Sequence, residues 1–254
     1  MNRSKIVLAA LATVLASTVA TSASAALVIS EVDSGGSSAT YGADWFELTN
    51  TDSSAYSLSG WKMDDNSNGF STSVTLHDAS GLGISINAGK AIIMIDDESI
   101  SGVTSTVSGA VAGASSGATN TIGNSIWDNY LKTQFVNYWF NGIAPAGVTF
   151  GFYGGSGIGL GSGGDAVNLF DSSGTPKVSV SFATGTAGFT FDNTAGLATV
   201  ATLSAAGFNG AFIALNGTEV GSPGVAPVPL PAAAWLLTSG LGALGAFRRR
   251  RKAA

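Results

Sequence analysis

From residue 26 to about residue 224 the chain alternates short apolar runs with clusters of Gly, Asn, Asp and Ser, a rhythm that predicts many brief strands joined by turns. Leu27-Val28-Ile29 leads into Glu31-Val32, and Trp45-Phe46-Glu47-Leu48 runs on to Asn50. Ala91-Ile92-Ile93-Met94-Ile95 is apolar throughout, which predicts a central strand covered on both faces. Ala166-Val167-Asn168-Leu169-Phe170 stops at the turn Asp171-Ser172-Ser173-Gly174. Beyond it Val178, Val180 and Phe182 alternate with Ser179 and Ser181, so one face is expected in a core and the other in water. Phe189, Phe191 and Phe212-Ile213-Ala214-Leu215 supply the last strands. Many short strands at near-regular spacing predict an all-β sandwich or barrel.

An insertion at about 99–145 breaks the rhythm. Residues 101–121 are rich in Gly, Ser, Ala and Thr and poor in apolar mass, which predicts a mobile segment. Asn124 or Ser125 can then cap a helix over about 125–140. In it Trp127, Leu131, Phe135 and Trp139 recur every fourth residue, with Ile126, Tyr130 and Tyr138 broadening the stripe, and Gly142 and Pro145 end it. So aromatic a face is expected to pack on the sheet; the other reading is an exposed surface for a glycan or a partner.

Both ends read as addresses. Residues 1–25 combine Arg3 and Lys5, an apolar run at 6–16 and the small-residue ending Ala23-Ser24-Ala25, which predicts a signal peptide cut by signal peptidase after Ala25. An uncleaved helix is the alternative. At the other end Val228-Pro229-Leu230-Pro231 precedes an apolar stretch at 232–247 and the basic tail at 248–252, the arrangement of a stop-transfer helix. Residues 225–254 resemble the PEP-CTERM sorting signal of Gram-negative bacteria. That resemblance implies an exosortase-type membrane peptidase as partner, transient inner-membrane anchoring, cutting near Pro229-Leu230-Pro231, and release to the cell surface or outside. A plain C-terminal anchor is the competing reading.

The body carries a second resemblance. Leu27-Val28-Ile29-Ser30-Glu31-Val32, Asp44-Trp45-Phe46-Glu47-Leu48-Thr49-Asn50 and Leu58-Ser59-Gly60-Trp61 look like the opening of the lamin-tail domain. Ile86-Asn87-Ala88-Gly89-Lys90-Ala91-Ile92-Ile93, Asp165-Ala166-Val167-Asn168-Leu169-Phe170-Asp171 and Gly221-Ser222-Pro223-Gly224 continue the likeness. The resemblance implies an immunoglobulin-like β-sandwich over 26–224 with the helix-bearing insertion. Beside it, the residues suggest that Trp45 and Trp61 fill the sandwich centre and that Glu47 points outward or into a loop-tied hydrogen bond.

Composition narrows the chemistry. The absence of Cys excludes disulfides, thiol catalysis and Cys-ligated zinc, and a single His, His77, excludes a multi-His metal site. Between the two ends Lys62, Lys90, Lys132 and Lys177 face all 16 acidic residues, a balance unsuited to nucleic acid and suited to divalent cations. Asp64, Asn66 and Asn68 with Gly69 match the front half of a calcium loop, although the twelfth position is Thr75 rather than Glu. The same residues also suit a hairpin tip, which is the favoured reading. Asp96-Asp97-Glu98 reads as a solvated loop that could join a cation site, and Asp78 could orient His77, but no G-x-S-x-G elbow supplies a nucleophile. The expectation is a non-catalytic exported protein of the surface or extracellular matrix, serving adhesion or display, with extracellular polysaccharide as a possible partner. The alternatives are a secreted hydrolase or its binding module, and a calcium-binding surface module.

Overall fold

The computed structural model describes residues 27–34, 43–80, 84–97, 125–154 and 158–225. In chain order the strands are β1 (Leu27–Asp33), β2 (Trp45–Asn50), β3 (Tyr56–Ser57), β4 (Lys62–Asp64), β5 (Val74–Thr75), β6 (Ser85–Ile86) and β7 (Ala91–Asp96). The helix α1 (Ser125–Phe140) follows, then β8 (Thr149–Tyr153), β9 (Asp165–Phe170), β10 (Pro176–Phe182), β11 (Phe191–Asp192), β12 (Thr199–Val200), β13 (Phe212–Ile213) and β14 (Val220–Gly221). One five-stranded sheet has the order β11-β1-β2-β7-β8 and the other β12-β10-β9-β4-β5. The pairs β3-β6 and β13-β14 stand apart from both.

Side-chain alternation along β2 and β7 builds two cores from one sheet. Phe46, Leu48, Ile92 and Met94 meet Met63, Val167, Leu169 and Val180 of the opposite sheet. Their chain neighbours Trp45, Ile93 and Ile95 point the other way, onto Trp127, Leu131, Phe135 and Trp139 of α1. This double coverage is why β7 needs apolar residues at every position. It also separates the two tryptophans: Trp61 lies in the core between the sheets, whereas Trp45 packs edge-on against Phe135 at 5.4 Å and Trp139 at 5.8 Å. The aromatic stripe of α1 is thus spent on the sheet, as expected.

Two local devices fix these elements. In β1 the register with β2 shifts between Ile29 and Glu31, so Ile29 and Val32, three residues apart, both enter the inter-sheet core. Ser30 and Glu31 are left on the other side. The helix ends where Asn141 and Gly142 take left-handed φ values of 51° and 87°, and the Gly142 N–H closes back onto the Val136 carbonyl. The chain then returns as β8, parallel to β7.

The fold class needs one correction. The signal helix expected at 1–25, the segment at 101–121 and the transmembrane helix expected at 232–247 all lie outside the described residues. Among the described residues no helix is long and apolar enough to cross a membrane. The 16 residues of α1 span about 24 Å against a hydrocarbon layer of about 30 Å, and they include Asp128, Lys132 and Gln134. Transient inner-membrane anchoring, the exosortase-type peptidase as partner, the PEP-CTERM route and an inner-membrane stage of localisation all required a spanning helix. None of them is retained; the fold is an all-β sandwich with one short helix.

Candidate functional site

The hairpin between β4 and β5 contains the sequence-derived cation candidates. Asp64 is buried, and its carboxylate accepts hydrogen bonds from Ser67 Oγ at 2.6 Å, the Gly69 N–H at 2.5 Å and Thr72 Oγ1 at 3.2 Å. Asn66 and Asn68 are exposed; the Asn66 N–H donates to Asp165 Oδ1, and Asn68 takes a left-handed φ of 51°. Asp64 therefore organises its own turn, and both asparagines serve the turn through their backbones.

Glu31 and Glu47 face one another across β1 and β2, and both are buried. Glu31 accepts from Thr190 Oγ1, from the Ser222 N–H at 2.7 Å and from Ser222 Oγ at 3.2 Å. Glu47 accepts from Ser30 Oγ at 2.7 Å and from the Gly224 N–H. Two carboxylates from the first two strands thus hold the segment around residues 222–224. Burial raises Glu31 well above the ordinary carboxyl value, with the charge of Glu47 adding to it against the bonds from Thr190 and Ser222. Burial likewise pushes Glu47 up to about 7, although Ser30, Gly224 and Thr49 stabilise its charged form. Of the two placements expected for Glu47, outward or into a loop-tied hydrogen bond, the second is the one observed.

A third cluster joins residues far apart in sequence. His77 sits in an isolated bridge to Phe152, with backbone bonds in both directions. Asp97 follows β7 and donates its N–H to the Tyr153 carbonyl at 2.8 Å. Asp128 lies in the first turn of α1. These placements bring His77 Nε2 to 3.2 Å from Asp97 Oδ2 and 3.6 Å from Asp128 Oδ2. Both aspartates are buried, and Trp127 Nε1 donates to the Asp97 carbonyl. Burial works against the charged imidazole, but the Asp128 and Asp97 carboxylates outweigh it and raise His77 to about 10.

His77 is therefore paired with Asp97 and Asp128, not with Asp78, whose Oδ1 accepts from Ser80. Asp97 is a buried member of this cluster rather than part of a solvated loop. Sequence reasoning passed over Asp128, yet a signal was there: it stands three and seven residues before Leu131 and Phe135, on the buried side of the helix. The processing residues Ala23, Ala25, Val228, Pro229, Leu230 and Pro231 lie outside the described residues.

Two facing sheets, a helix on one outer face and buried carboxylates tying strand ends define a β-sandwich module whose polar interior is structural. A model of the Lamin Tail Domain family matches residues 20–185, and the chain belongs to that family. Lamin-tail domains are non-catalytic modules, and this chain is not an enzyme. The matched span ends just after β10, so the likeness at Gly221-Ser222-Pro223-Gly224 falls beyond it. A search of curated proteins finds no match to the chain.

Proposed function

We propose that this chain is a structural or adhesive surface module, acting by holding other matter rather than by transforming it. The observation that supports this most is the use made of its buried acids. Glu31, Glu47 and Asp64 are each bonded to backbone or hydroxyl donors from neighbouring strands and turns. Such acids stiffen a scaffold, and these bonds occupy their own carboxyls. Four lysines against 16 acidic residues between the two ends are a charge balance that suits divalent-cation-bridged polyanionic or neutral polysaccharide better than nucleic acid.

The rival reading, a secreted hydrolase or its binding module, gains nothing from His77, whose ring meets carboxylates and the Thr75 carbonyl rather than a hydroxyl nucleophile. Deleting the gene in its host distinguishes the two. Loss of cell aggregation or surface attachment, restored by the intact gene, is the expected result. Unchanged attachment with loss of a secreted nucleic-acid- or polymer-degrading activity would overturn the proposal.

A further inference from the structure

We propose that His77 Nε2, Asp97 Oδ2 and Asp128 Oδ2 form a three-ligand site for a divalent transition-metal ion of the zinc type, which fastens the start of α1 to the end of β7. One ligand atom of each residue lies within 4.8 Å of the others, and the three come from separate stretches of chain: the bridge after β5, the residue after β7 and the first turn of α1. A tetrahedral zinc ion with bonds of about 2.0–2.1 Å separates its ligands by about 3.3–3.4 Å. The observed separations of 3.2 and 3.6 Å from the imidazole nitrogen bracket that edge.

The far side of the ring points the same way. His77 Nδ1 faces the Thr75 carbonyl at 3.4 Å, the backbone partner that a metal-ligating imidazole uses to keep its proton on the outer nitrogen. With the Nδ1 proton held there, loss of the Nε2 proton leaves a lone pair aimed between two carboxylates, where a metal ion can replace that proton. Asp128 supplies a further sign: it is fully buried, neither of its carboxylate oxygens reaches a donor at close hydrogen-bond distance among the described residues, and its ion-pair contact with His77 Nε2 is long, at 3.6 Å. A single imidazole is thus shared between two buried carboxylates, an arrangement that a divalent ion among the three groups satisfies more fully. A divalent ion brings two ionised carboxylates and a neutral imidazole to zero net charge. One imidazole with two carboxylates is a borderline donor set, which selects zinc or a neighbouring transition ion over calcium.

The test uses the full chain, stripped of metal and titrated with zinc chloride. Because His77 is the sole histidine, its imidazole nitrogens report on the site without ambiguity. Zinc is expected to bind one-to-one, to raise the melting temperature, and to move the Nε2 resonance while Nδ1 stays protonated. Asp128→Asn, which keeps the shape of the side chain, should weaken binding roughly tenfold or more, and Asp64→Asn should leave it unchanged. Imidazole resonances unmoved by zinc in the unaltered protein would overturn the proposal. So would equal zinc affinity in the Asp128→Asn protein, or displacement of zinc by an equal concentration of calcium.

Discussion

Glu31 and Glu47 are cross-strand partners that share one buried environment, so their protonation is coupled to folding. Both are raised relative to the unfolded chain, Glu47 to about 7. The folded protein therefore holds protons that the unfolded chain releases. Their contribution to stability is complete below the unfolded carboxyl value and is lost as pH rises through the folded one. Denaturation by urea should show stability falling from pH 5 to pH 7 by on the order of a few kcal/mol. Glu47→Gln should flatten that slope; an unchanged slope would show that the pair is not its source. At the β4–β5 turn, Asp64→Ala strands donors from Ser67, Gly69 and Thr72 and should cost roughly 2–3 kcal/mol, with or without added calcium. A melting temperature that calcium raises in the unaltered protein alone would instead assign the turn to a cation. The sequence made Glu47 readable because an acid alternating with Phe46 and Leu48 must either meet solvent or find donors. It hid the meeting of Asp97 and Asp128, because no local pattern encodes that the end of β7 and the start of α1 converge on His77.

The elements were more legible than their mutual coverage. Continuous apolarity marked β7 as covered on both faces, and the fourfold aromatic repeat marked α1 over its actual length. What the repeat could not specify was which face of which sheet the helix covers. That choice sends Trp45 outward to the helix and leaves Trp61 to the core between sheets. Trp139 is the hinge of this second core, in edge-on contact with Trp45, Tyr138 and Phe212. Trp139→Ala should destabilise the protein by about 3–5 kcal/mol in thermal or urea unfolding. Hydrogen exchange should then rise first in α1 and in the β13–β14 pair, while β9 and β10 stay protected. Uniform loss of protection would mean that the helix and the sandwich are a single cooperative unit.

At the scale of the molecule, a two-layer body is readable from turn spacing, and the lamin-tail motifs at 27–32, 44–50 and 58–61 point to its family. The short strands β11 to β14, beyond the family match, were harder: two-residue pairings carry almost no periodicity, and their places depend on acceptors such as Glu31 far back in the chain. The whole is a scaffold whose polar interior has been committed to holding strands, turns and helix in place. That claim is tested most directly by incubating the purified protein with nucleic-acid, polysaccharide and peptide substrates and measuring turnover. The expected result is no turnover beyond that of the heat-unfolded protein; saturable turnover abolished by His77→Ala would contradict the account.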